Sequence, residues 1–152
     1  HTYAEFRLKG IETDNRIEVV DRYLDSIKDE SVFEELIMGG PIYGGTLDNL
    51  VIRDGELVLK DWKTNRIFDK DSKFKLLSPL NHLPNTRYWK YALQQSLYTK
   101  LLDEPVSKIE IVWFHDDTWE VIDIPYLEQE VDSILNKLME WKLANIFLQS
   151  GG

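Results

Sequence analysis

The sequence predicts an α/β fold in which helices flank a central mixed β-sheet. Helical and strand periodicities alternate along the chain, two apolar runs bracket Asp54-Gly55 in the manner of a hairpin, and strands return after a long helical stretch. With 152 residues, 43% hydrophobic and 30% charged, the chain suits a single globular domain with a substantial core.

The first elements are helical. Residues 2–9 and 14–28 mix charged and apolar positions at helical spacing, with Gly10 as a break between them and Val19, Val20, Tyr23, Leu24 and Ile27 as an apolar stripe. Residues 31–38 form a short strand candidate that ends at Gly39-Gly40. A hairpin follows, at 42–53 and 56–63, because Asp-Gly between apolar runs is the strongest short-range hairpin signal. Residues 65–84 lack periodicity and contain Pro79, Asn81 and Pro84, and a loop of that length in a compact domain is often functional. Asn85 or Thr86 caps a helix running to about 103. Strands at 108–115 and 118–124, joined through Asp116-Asp117, precede a last helix for which Pro125 is a suitable start. The chain opens within a helical pattern and without methionine, so further residues are expected upstream.

Composition narrows the chemistry. The absence of cysteine removes disulfides, thiolate metal sites and a cysteine nucleophile, and is compatible with a cytoplasmic setting. No run approaches the roughly 20 apolar residues of a membrane span. A net charge of −9 argues against broad, nonspecific nucleic-acid binding. The charge is unevenly spread, however: Lys60, Lys63, Arg66, Lys70, Lys73 and Lys75, then Arg87 and Lys90, form a basic strip, while acids crowd into 18–35 and 116–132.

The hairpin register concentrates attention on two acids. If Asp54 and Gly55 form a two-residue turn, Arg53 faces Glu56, and the same register sets Asp48 opposite Asp61, with Cβ atoms roughly 4.5–5.5 Å apart. Lys63, two residues along, shares their face. Directly opposed like charges are destabilising without a compensator. A divalent cation would serve, and a basic strip beside such a centre suits a phosphodiester substrate.

Gly45-Thr46-Leu47-Asp48, then Asp61-Trp62-Lys63, then Gln94-Gln95-Ser96-Leu97-Tyr98 resemble, in order, the motifs of the PD-(D/E)XK nuclease superfamily. The match is to its RecB-like exonuclease branch, and Asp-Trp-Lys-Thr is similar to the version in phage-type exonucleases and the mitochondrial genome maintenance exonuclease. The resemblance covers about residues 31–103. It implies a restriction-endonuclease-like core and a Mg²⁺- or Mn²⁺-dependent deoxyribonuclease, most simply an exonuclease acting on DNA ends or single strands in phage or prophage recombination or DNA processing. A phage recombination partner protein and an oligomeric state are compatible with it.

The resemblance also implies roles. Asp48 and Asp61 would hold the metal, with the Trp62 backbone carbonyl completing the shell, and hard oxygen donors do select Mg²⁺ or Mn²⁺. Lys63 would orient the attacking water and offset charge on phosphorus. Its two carboxylate neighbours favour the protonated ammonium, and so the electrostatic role over that of a base. Gln94 and Tyr98, four apart on one helical face, would line the active site, although Tyr98 also suits a core aromatic. His1, in His1-Thr2-Tyr3-Ala4-Glu5, matches the branch's metal-binding histidine pattern, with a terminal or tag residue as the other reading; Glu34 or Glu35 is the fallback for an extra carboxylate. His82 and His115 stand isolated, and Trp89 serves helix packing or base stacking. Two competing functions remain: a non-catalytic DNA-binding or assembly module that keeps the nuclease fold, and a structure-specific endonuclease.

Overall fold

The computed structural model describes residues 2–9, 17–34, 36–39, 44–102 and 104–150. Two helices, α1 (Thr2–Leu8) and α2 (Glu18–Ser26), lead into strands β1 (Glu30–Phe33), β2 (Leu36–Gly39), β3 (Gly44–Leu47), β4 (Asn49–Arg53) and β5 (Glu56–Lys63). Helix α3 (Arg87–Leu101) crosses to β6 (Val106–His115), which turns into β7 (Thr118–Ile124) before α4 (Glu128–Ser150). The fold is α/β. Its five-stranded mixed sheet has the order β1-β4-β5-β6-β7, with β5 and β6 parallel and the other pairs antiparallel, consistent with a restriction-endonuclease-like core. A separate antiparallel ribbon pairs β2 with β3.

Local chemistry explains the turns. Asp54 and Gly55 both adopt positive φ (52° and 79°), which gives the right-twisting two-residue turn that joins β4 to β5. Asp116 and Asp117 do the same between β6 and β7, since aspartate tolerates the left-handed region better than most side chains. Thr86 caps α3 by accepting from the Trp89 backbone N–H.

Alternation along β5 divides the interior in two. Leu57, Leu59, Asp61 and Lys63 face one way, and Val58, Lys60 and Trp62 the other. On the first face Leu59, Ile109 and Ile111 pack with Ala92, Leu93 and Tyr88 of α3 and with Leu127 before α4. On the second, Trp62, Val112 and Phe114 pack with Tyr3 and Ala4 of α1 and Val20 and Tyr23 of α2. Tyr23 makes edge contacts with Trp62, Phe114 and Trp119 at centroid distances of 5.9, 5.8 and 5.7 Å. Ser96 Oγ accepts from the Leu127 N–H at 3.0 Å and ties α3 to the approach of α4.

Several expectations need correction. The single strand expected at 31–38 is two strands in different sheets, separated at Glu34. The first hairpin arm is likewise broken at Asp48, which lies outside the ladder. Pro125 does not open the last helix: the first intrahelical bond there runs from the Val131 N–H to the Leu127 carbonyl. Lys60 belongs to no basic surface strip. It is fully buried against Asp29. His1, Gly10 and Glu35 lie outside the described residues. Among those described, no helix is long and apolar enough to cross a membrane.

Candidate metal centre

β5 runs between β4 and β6, and its C-terminal residues Asp61–Lys63 extend along β6 beyond the last β4 pair, Asn49–Lys60. Asp61 is 4% exposed there and Lys63 is half-buried. The Lys63 ammonium stands 3.0 Å from Asp61 Oδ2 and 4.3 Å from the centroid of the Tyr91 ring on α3. Asn65, just beyond the strand, donates from Nδ2 to the Tyr91 hydroxyl, and its carbonyl accepts from Trp113 Nε1 at 2.7 Å. Lys63 and Trp113 are cross-strand partners, and Trp113 stacks on His115 with centroids 3.8 Å apart. Aromatic rings and an amide thus hold Lys63 beside Asp61.

Asp48 arrives by a different route from the one its register suggests. The β4–β5 ladder begins at Asn49–Lys60, with Arg53 opposite Glu56 as expected. One residue earlier the backbone leaves the strand, and Asp48 Oδ2 accepts the Trp62 N–H at 2.9 Å. A carboxylate has taken the place of a ladder carbonyl. The two acids still meet: burial most of all, then the Asp48 charge and a hydrogen bond with Asp48, push the Asp61 carboxyl up to about 7, against a smaller opposing effect of Lys63. Asp61 Oδ2 is buried without an aligned hydrogen-bond donor, although the Lys63 ammonium lies at ion-pair distance.

That donor set fits a hard divalent cation. Mg²⁺ is ordinarily held by one or two carboxylates, with water and substrate oxygens completing its shell. Two neighbouring carboxylates, one of them buried and held well above the ordinary carboxylate range, supply such ligands. Among the described residues no group of three histidine, cysteine or acidic side chains gathers to bind a metal. Glu34, the described half of the fallback pair, is half-buried at the bend between β1 and β2.

The helix motif is split between site and core. Tyr98 lies against the β2–β3 ribbon so closely that a Cβ on Gly45 would come within 2.1 Å of its Cε1 atom. Glycine is therefore required at 45, and Tyr98 positions the ribbon that leads into Asp48. Gln94 Oε1 accepts from Gln95 Nε2 at 3.3 Å, and Gln95 itself is fully buried with an unsatisfied Oε1. Tyr91, Asn65 and Trp113 were not singled out for the site by sequence. By pattern alone Tyr91 is an interior position of the helix that ends near 103, and Asn65 the first residue of a loop.

No family model matches the chain, and no curated protein does. Among solved structures, one titled "Crystal structure of SSO0001" is similar at 18% identity and a TM-score of 0.41, over 80% of this chain and 55% of that one. The chain thus spans about 55% of that structure's length, and the likeness is loose.

Proposed function

We propose that this chain is a Mg²⁺- or Mn²⁺-dependent deoxyribonuclease of the RecB-like branch of the PD-(D/E)XK superfamily, hydrolysing DNA from ends or in single strands, in the cytoplasm and in the service of phage-type recombination or DNA processing. The observation that carries this reading is the buried Asp61 carboxylate, with half-buried Asp48 beside it and the Lys63 ammonium 3.0 Å away. Structural acids are buried with matching cations. Here a second acid, Asp48, stands beside the Asp61–Lys63 ion pair, an arrangement that suits a bound dication and a phosphodiester.

In this reading Asp48 and Asp61 hold the cation, which when bound polarises the phosphate and lowers the pKa of water. Asp48 also keeps its place through the Trp62 N–H, which fixes its Oδ2 oxygen beside Asp61. Lys63, beside the Asp61 carboxylate and backed by Tyr91, steadies the attacking water and offsets charge that grows on the phosphoryl oxygens. Tyr98 and Gln94 act from α3, the first by setting the ribbon and the second, as the resemblance implies, by lining the site.

The test is cleavage of end-labelled linear DNA with Mn²⁺ by the wild type, Asp61→Ala and Lys63→Ala. The expected loss is at least about 100-fold for each, as when a charge-stabilising group is removed from a transition state. Full activity in both variants would dismiss the reading. Closed circular DNA separates exonuclease from endonuclease action, because only the latter opens it.

A further inference from the structure

The loop after Lys63 carries large apolar side chains in the open. Phe74 is 66% exposed and Leu77 87%. They are held there by a braced finger. The Leu76 N–H donates to the Leu83 carbonyl at 3.0 Å, the Asn85 N–H to the Phe74 carbonyl at 2.9 Å, and Lys75 bridges to Pro84. Leu83 is buried in the core, and His82 Nε2 lies 3.0 Å from Glu130 of α4. A fixed tip cannot fold its apolar groups away from water, and such exposure ordinarily marks a contact surface.

Charge identifies the partner. The segment bears Arg66, Lys70, Lys73 and Lys75 against Asp69 and Asp71, in a chain of net charge −9. Asp69 is already engaged by Arg87 at 3.1 Å. Lysines flank Phe74 in the chain, and the Lys73 ammonium lies 5.4 Å from the centroid of its ring. An exposed ring between cations is how single-stranded nucleic acid is gripped, bases on the ring and phosphates on the lysines. The finger also follows, in the chain, the strand that ends in Lys63. We propose that Phe74 and Leu77 form a stacking platform for unpaired bases of single-stranded DNA or a frayed end. This rests on the nuclease reading and sharpens its substrate class to unpaired strands.

The experiment is fluorescence anisotropy of a 5′-labelled single-stranded oligonucleotide, in EDTA so that nothing is cut, with melting temperature and Mn²⁺-dependent cleavage of linear DNA measured on the same preparations. Phe74→Ala/Leu77→Ala should bind about tenfold or more weakly with an unchanged melting temperature. Lys73→Gln/Lys75→Gln should show a shallower salt dependence of binding. Equal binding by wild type and the Phe74/Leu77 variant overturns the platform while active cleavage leaves the nuclease reading standing. Absence of cleavage in the wild type removes that reading instead. Sedimentation with phosphatidylserine vesicles that is lost in the Phe74/Leu77 variant, with DNA binding unchanged, also overturns the platform and assigns the finger to a membrane surface.

Discussion

Lys60 and Asp61 are neighbours on β5, both withdrawn from water, on opposite faces of the sheet. The Lys60 ammonium meets Asp29 at 2.8 Å, Arg53 joins Asp29 (2.7 Å) to Glu110 (2.9 Å), and Lys108 reaches Glu110 at 3.6 Å, so both anions are answered by cations. The Arg53 hydrogen bonds, first among the causes, hold the Asp29 carboxyl down at about 2. Across the strand, burial and the Asp48 charge push Asp61 up to about 7. One face buries charge and satisfies it; the other buries charge and leaves it in conflict. A closed network of this kind needs nothing further, whereas an open one keeps ligand capacity at a cost to stability.

The largest effect should come from opening the closed face. Asp29→Ala strands Lys60 and part of Arg53, and urea unfolding is expected to show a loss of about 3–5 kcal/mol. A loss under about 1 kcal/mol would mean that the network is not the structural half of the contrast.

A middle effect tests the contact that sets the ribbon. Gly45→Ala puts a methyl group into the Tyr98 ring and should cost about 1–3 kcal/mol. Tyr98→Ala in the same chain should remove most of that penalty, giving a strong coupling in a double-mutant cycle. Additive effects would show that ribbon and helix are not in register as described.

The smallest effect is on the conflicted face and has the opposite sign. The raised carboxyl of Asp61 takes up a proton in the folded state while the unfolded chain still lacks one. Metal-free stability should therefore fall as pH rises from about 4 to about 7 and level off above. Asp61→Asn should flatten that slope and stabilise the metal-free protein at pH 8 by roughly 1–2 kcal/mol. Asp29 behaves in reverse: its depressed carboxyl contributes stability above about pH 4 that is lost as pH falls through about 2. Thermal melts from pH 4 to 8 distinguish the two, since an unchanged slope in Asp61→Asn would contradict the conflict.

Much of this was legible from local rules. The Asp54-Gly55 turn fixed the register of Arg53 with Glu56, Thr86 capped its helix, and Thr118–Ile124 formed the strand its pattern suggested. Lys63 does share a face with Asp61. Alternation could not reveal that the ladder stops at Asn49, because the Trp62 N–H is taken by a side chain rather than by a strand carbonyl. Nor could it reveal the fate of Lys60, since a lysine flanked by apolar residues reads the same whether it reaches solvent or an aspartate thirty-one residues away. Tyr91 and Asn65 join the site only through the crossover that lays α3 over β5. Long-range partners of this sort leave no periodic trace.

The most direct measurement is a calorimetric titration of Mn²⁺ into the metal-free protein and into Asp61→Asn, repeated at pH 6 in two buffers of different ionisation heat. The wild type should bind Mn²⁺ and release protons as the Asp61 carboxyl ionises, and Asp61→Asn should lose both signals. Absence of binding, or equal binding by the two proteins, would contradict a metal centre at Asp48 and Asp61.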